Sequence, residues 1–270
     1  MKPRYFLIAA APAAIIVAMA LTGGSDADLS TRAISGTSIQ ANLTEAGNVR
    51  IDGSDVTLSG RVDGNLHVRA AEFGLTDFTA DRVEVETNTA ALSGTIRGAT
   101  ILRAVNIRSD ADLEGYVQLH TIDLDLAGTL RDAAEINMVD GRLSGAFNEL
   151  TMRGNDVSFT QESTIETSLD ISARDLQLDG RIAGELIASV RSIRLGGQVE
   201  GATFINAHPG VTPDAEVDGR VEIAGETRDV RVCAISLVVS GRIDGTLTVS
   251  TDDPPQFIGQ GSASSVVYIP

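Results

Sequence analysis

The chain has 270 residues, with 37 Asp and Glu against 21 Lys and Arg and a formal charge of −16 at pH 7. That surplus opposes a phosphate backbone, which proteins grip with clustered cations that displace counterions, so nucleic acid is not an expected partner. Cys233 is the only cysteine, which excludes an intramolecular disulfide and a thiolate metal cluster; within Val232-Cys233-Ala234-Ile235 it reads as a small buried apolar residue.

At the start of the chain, Lys2 and Arg4 precede an apolar run from Tyr5 to Leu21, broken once by Pro12, and Ala18-Met19-Ala20 supplies a small-x-small pattern. Residues 1–24 therefore read as an export signal peptide or a membrane anchor. Cleavage after Ala20 and retention both stay open, because the run is near the lower limit for spanning a bilayer. In either case the body is expected outside the cytoplasm, periplasmic or extracellular, with any membrane attachment made through the N-terminal segment alone. Asp26 and Asp28 after the run agree with a cytoplasmic N-terminus and a translocated remainder.

From there a single phrase recurs: apolar-x-Gly-x-apolar-x-Gly. It appears as Leu58-Ser59-Gly60-Arg61-Val62-Asp63-Gly64, as Leu92-Ser93-Gly94-Thr95-Ile96-Arg97-Gly98 and as Leu178-Asp179-Gly180-Arg181-Ile182-Ala183-Gly184. Two further copies are Leu195-Gly196-Gly197-Gln198-Val199-Glu200-Gly201 and Val239-Ser240-Gly241-Arg242-Ile243-Asp244-Gly245. First-glycine spacings of 17 (Gly128 to Gly145), 34 (Gly60 to Gly94) and 35 (Gly145 to Gly180) are one or two units of about 17. Degenerate copies fall near Asp77, Ala111 and Glu162, where Leu75, Phe78, Ile107, Leu113, Phe159 and Ile165 stay apolar while the glycines are lost. A period of this size signals a solenoid. The 27 Gly, the many Thr, Val and Ile, and the lack of long stripes at helical spacing favour strands and tight turns.

The fold expected is all-β: a single-stranded parallel β-helix over residues 25–250, with about 17 residues per turn. A left-handed hexapeptide coil has a similar turn length, but its eighteen-residue triplet is not maintained, and a right-handed coil is preferred. Apolar residues two apart assign one strand face inward. Leu58, Leu92, Leu126, Leu143, Leu178, Leu195, Val217 and Val239 should stack in one interior column. Val62, Ile96, Leu130, Phe147, Ile182, Val199, Val221 and Ile243 should form a second. The turn glycines Gly60, Gly64, Gly94, Gly98, Gly180, Gly184, Gly197, Gly201, Gly241 and Gly245 are expected where the coil bends sharply or takes positive φ. About twelve turns at the strand spacing would give a rod of roughly 60 Å. Insertions at 207–213 and 225–228 should emerge as loops. Asp252-Asp253-Pro254-Pro255 should end strand pairing, leaving 251–270 as a tail in which Val266-Val267-Tyr268-Ile269 folds back as a cap.

No chemical constellation stands out. His67, His120 and His208 are dispersed and lack metal-ligand or triad partners. Asp110-x-Asp112 and Asp123-x-Asp125 each place two carboxylates on one strand face, an arrangement that could take a hard cation or serve acid–base chemistry, but the signal is weak and an exposed acidic strand face or turn is the preferred reading. Arg61, Arg181, Arg220 and Arg242, with Asp63, Glu200, Glu222 and Asp244, suggest surface charge ladders that favour solubility and register. No phosphate-binding Gly-x-x-x-x-Gly-Lys-Ser/Thr occurs and Trp is absent, so no catalytic, cofactor or metal residue is assigned and no cofactor is expected.

The phrases at 58–66, 178–186 and 239–247 resemble the repeats of bactofilins, the polymer-forming bacterial cytoskeletal family, over residues 34–250. The resemblance implies a right-handed parallel β-helix that assembles end to end into non-polar filaments without a nucleotide, often at the membrane, where such filaments scaffold envelope enzymes and influence cell shape. The leading expectation is a non-enzymatic envelope scaffold forming a homo-polymer or homo-oligomer. The alternatives are an exported adhesin-like or envelope-polysaccharide-binding rod that presents loops near Pro209 and Thr227, and a β-helical polysaccharide lyase or hydrolase using Asp123 and Asp125.

Overall fold

The computed structural model describes residues 31–207 and 219–269, together with the backbone of Ile15–Ile16, which pairs with Ile39 and Gln40. The leader otherwise, His208, Pro209 and Val217 lie outside the described residues. Every described element is a strand or a connection, and the parallel strands stack about 17 residues apart as a β-solenoid of about 13 turns. One coil illustrates the plan. Asn106–Ser109, Asp112–Glu114 and Val117–His120 form three short strands, one on each of three faces, separated by two-residue corners. Each strand pairs in parallel with its equivalents one coil earlier and one coil later. Elsewhere the corners are shallow enough for strands to run through them, as in Glu72–Glu86 and Thr164–Leu178.

The interior is built from columns of like residues. On the first face the file runs Ala41, Leu58, Leu75, Leu92, Ser109, Leu126, Leu143, Phe159, Leu178, Leu195, Ile223, Val239 and Phe257. On the second face Phe78, Ile96, Leu113, Leu130, Phe147, Ile165, Ile182, Val199, Thr227, Ile243 and Ala263 follow one another. Val62 is also buried, but a register shift after Leu58 sets Gly60, not Val62, beside Phe78. The third face contributes two more columns, one containing Leu66, Val83 and Val117 and the other Val68, Val85 and Leu119. Where spacing shortens and Phe159 replaces leucine, its ring packs edge-on against Phe147 at 6.5 Å. Burial of this kind makes truncation costly: Leu126, fully buried, should lose about 2–5 kcal/mol on replacement by Ala.

Two expectations about the columns change. Coil spacing on the first face is 16–19 residues except between Leu195 and Ile223, 28 positions apart, where 208–218 is inserted. Val217-Asp218-Gly219-Arg220-Val221 has the wording of a second-face phrase, but the insertion delays the coil. Arg220 and Val221 consequently belong to the first face, with Val221 between Ile193 and Leu237. The second-face position falls to Thr227, buried between Val199 and Ile243, so 225–228 is coil and not a loop. The rod also continues beyond 250. The strand interrupted at Asp252–Pro255 resumes at Gln256–Phe257, and Ser262–Tyr268 pairs in parallel with 242–249 as one more turn instead of folding back. Proline breaks the ladder locally, but the apolar files beyond it still have a coil to cover.

The glycines serve two needs. Gly60, Gly94 and Gly98 have positive φ, a need also met by Asp77 at φ 47°, whose carboxylate accepts from the Thr95 N–H at 3.0 Å. Gly64, Gly180, Gly184, Gly197, Gly201, Gly241 and Gly245 are not in that region; successive coils approach so closely at the corners that a Cβ has no room. At Gly197 it would lie 1.8 Å from the Gly180 carbonyl oxygen, and at Gly184 1.6 Å from that of Thr167. Cys233 departs from expectation too. With Val232 and Ala234 inward, strand alternation turns it outward into the row of Asn206 and Ser250, where it is half-buried.

Gly197→Ala should destabilise by about 1–3 kcal/mol through overpacking, whereas Gly74→Ala, whose new methyl meets Thr57 at an ordinary 3.4 Å, should stay within about 0.5 kcal/mol; paired thermal melts check both. The Thr227 hydroxyl is buried without a hydrogen-bond partner. Thr227→Val should therefore raise stability by about 1–3 kcal/mol, the penalty of an unsatisfied buried group, read as a higher denaturation midpoint.

Candidate functional site

Alternation that sends aliphatics inward sends every second polar residue outward, and stacking turns these residues into rows with one member per coil. Some charged rows neutralise themselves. On the third face Asp52, Arg69, Glu86 and Arg103 succeed one another, with Arg69 and Glu86 3.1 Å apart. Of the charges noted in the sequence, Arg61 pairs with Asp63 and Arg242 with Asp244 within one coil, at 2.9 Å for the latter; Arg220 reaches Glu222 at 3.6 Å. Arg181 instead crosses to Glu200 of the next coil at 2.8 Å.

Asp112 does not work together with Asp110. Arg131, one coil later, grips it with two guanidinium nitrogens, Nε donating to Oδ1 at 3.0 Å and Nη2 to Oδ2. The Arg131 hydrogen bond holds the Asp112 carboxyl below its ordinary value. Nearby, Glu135 accepts from Asn137, Tyr116 and Gln118, which lowers its carboxyl, while desolvation and the bond to Glu135 raise the Tyr116 phenol. His67 lies outward with Nδ1 4.0 Å from Glu84, and His120 also faces out, in the row of Arg103 and Asn137.

Asp123 and Asp125 lie on the first face, where the rows differ. Asp123, Asp140, Asp156 and Asp175 occupy one row on four successive coils. Asp175 pairs with Arg174 at 3.0 Å, and among the described residues the other three make no ion pair. The parallel row alternates Arg108, Asp125 and Arg142, with Arg108 3.9 Å from Asp125. The two rows bound a shallow trough of about 490 Å³, continued past Asp156 and Ser158 by a smaller one bordered by Asp175 and Arg194. Its open form shields no carboxyl beside a second acid–base group. No group of three or more potential ligands could hold a metal among the described residues.

The columns finish differently at the two extremities of the described body. At the last coil Phe257 and Tyr268 continue the columns of Val239 and Val249, both buried, yet they are 41% and 63% exposed because no described coil lies beyond them. Ile258, Val267 and Ile269 are exposed on the same coil. At the coil of Arg32–Ala46, on which Ile15–Ile16 pairs, the columns of Phe257 and Tyr268 begin in Ala41 and Ile34, and two other inward positions are charged. Arg32 stands in register with Val49 and Glu45 with Val62, and their side chains meet in an ion pair. Neither end was apparent from the repeat phrase, which describes the middle of a column and not what closes it.

These features define a parallel β-solenoid rod whose sides carry charge in rows, some of alternating sign and one acidic. No protein-family model, curated protein or solved structure matches the chain. No helix among the described residues is long and apolar enough to cross a membrane.

Arg131→Gln should move the Asp112 titration upward, measured by NMR. A depressed carboxyl stabilises the fold above its unfolded value and loses that contribution as pH falls through the folded one, so the stability gap between wild type and variant should close at acid pH. The effect should be small, because solvent screens the exposed pair. In the first-face row, Asp140→Asn should raise the low-salt melting midpoint by about 1 °C by relieving like-charge stacking, a gain that shrinks at high salt.

Proposed function

We propose that the chain is a non-enzymatic structural protein of the bacterial cell envelope, a bactofilin-like β-helical scaffold that self-assembles end to end and influences cell shape. The observation that carries this reading is the last described coil: a strand edge without a partner among the described residues, on which Phe257, Val266 and Tyr268 stand at the ends of apolar columns. Exposed edges template pairing with another chain, and natural proteins usually blunt them. The apolar leader supports an exported body tethered or released at the inner membrane. Assembly needs no cofactor in this scheme, because column closure and strand pairing supply its driving force.

The trough on the first face favours a second reading, an envelope-polysaccharide-binding rod, since its rows of Asp, Arg and Ser offer acceptors and donors at one set per coil. Light scattering and electron microscopy of the full-length chain separate the two. Self-association of wild type, abolished by Phe257→Asp with Tyr268→Asp, supports the scaffold. Monomers at every concentration and salt reject it, and retention of monomers on an envelope glycan, lost in Arg108→Ala with Arg142→Ala, would favour the second reading.

A further inference from the structure

Three exposed aliphatic side chains stand one above another on the middle coils. Val105, Ile122 and Val139 occupy the corner that leads from the third face into the first, on successive coils, and are 40%, 48% and 38% exposed. Backbone bonds fix their stacking: the Ile122 N–H donates to the Val105 carbonyl at 3.0 Å, and the Val139 N–H to the Ile122 carbonyl at 3.1 Å. The coils on either side place Asn88 and Asn155 at this corner, so the ridge departs from polar usage. A single exposed Val or Ile is ordinary, but a contiguous apolar stripe rimmed by polar groups marks an interaction site. The rim is acidic on one flank. The residue after each ridge position begins the first-face row of Asn106, Asp123, Asp140 and Asp156, whose three aspartates make no ion pair among the described residues. On the other flank Arg103 reaches Glu84 at 3.5 Å, and Arg153 stands in the same row beyond His120 and Asn137.

We infer that this corner docks a basic amphipathic helix of another protein, its apolar stripe on Val105, Ile122 and Val139 and its Lys or Arg side chains over Asp123 and Asp140. The ridge backbone is already bonded from coil to coil, so it offers no free row for strand addition and suits an occupant whose own backbone is satisfied. A helix lying along the rod advances about 5.4 Å per turn, close to the roughly 4.8 Å between coils, so one apolar residue and one cation per turn meet one aliphatic and one carboxylate per coil. Charge sets the orientation, with the cations toward the aspartates and away from Arg103 and Arg153. It also selects the occupant: a second copy brings a formal charge of −16 and an aspartate row of its own, and an anionic lipid surface is repelled in the same way. The ridge lies away from the last coil, and the inference stands apart from end-to-end assembly.

Fluorescence anisotropy of a labelled Leu/Lys amphipathic peptide of about five helical turns, titrated with the purified full-length chain, tests this. Wild type should bind it about tenfold more tightly than a Ser/Lys peptide of equal charge, which has no apolar stripe to bury. Val105→Asn with Ile122→Asn and Val139→Asn extends the asparagines of the neighbouring coils across the ridge; it should keep the wild-type melting curve and lose about tenfold in Leu/Lys affinity. Asp123→Asn with Asp140→Asn should weaken binding about fivefold at low salt and flatten its salt dependence, whereas Asp81→Asn, exposed at another corner, should change nothing. No binding by wild type, equal binding of the two peptides, or undiminished affinity in a normally melting triple variant would overturn the ridge as the site, and the peptide comparison decides even if that variant fails to fold. A Leu/Glu peptide bound as tightly as Leu/Lys would overturn the charge assignment. Loss of self-association, or of binding to phosphatidylglycerol vesicles, in the triple variant would give the ridge to a second copy or to a membrane and overturn the helix.

Discussion

The structure depends on one constraint: each coil must return to the same place above the last, so that its three short strands pair in register with those of its neighbours. Backbone donors and acceptors between coils are then satisfied without helices or a second sheet, and every residue stands directly over an equivalent one. Identity of position, not local propensity, is what the sequence repeats. Leucines accumulate in interior files because each one needs apolar atoms above and below, and Thr227 in such a file has no hydrogen-bond partner for its hydroxyl.

The same constraint explains corners and sides. Where the chain turns between faces, the coil below is so close that its carbonyl occupies the space of a Cβ, which is why Gly197 and Gly184 are glycine despite ordinary φ. On the sides, stacking converts single charges into rows. A row that alternates in sign, as Asp52, Arg69, Glu86 and Arg103 does, supports the register; a row that does not, as on the first face, opposes it electrostatically. The acidic composition is thus compatible with a long ordered body, because part of its charge pairs with arginine of adjacent coils and the rest is spread along a solvated surface.

A column has no natural end, and closure is where a solenoid acquires biology. The coil of Arg32–Ala46 sets Arg32 and Glu45 among the apolar Ile34, Ile39, Ala41 and Leu43, whereas the last leaves Phe257 and Tyr268 uncovered by any described coil. The difference gives the rod a direction in its chemistry that its repeating interior lacks. Side-chain chemistry along the body is paired or open to solvent, so the exposed apolar residues of the last coil are what set that extremity apart.

Residue pattern alone determined the all-β class, the parallel stacking, the 17-residue coil and the inward identity of residues such as Leu92, Leu178 and Val239, since a two-residue alternation and a fixed repeat leave few other ways to bury them. It misjudged places where wording and position part company. Val221 carries the phrase of a second-face residue but sits on the first face, because the preceding insertion changed the phase of the coil. Asp252–Pro255 reads as a terminus, yet another turn follows. Cys233 looks like core and faces outward. Only the tertiary structure decided that Arg131 would hold Asp112, that four aspartates would share one row, and that the two ends would differ. Each of these depends on which coil lies above which, a long-range register that the chain fixes through stacking and not through neighbours in sequence.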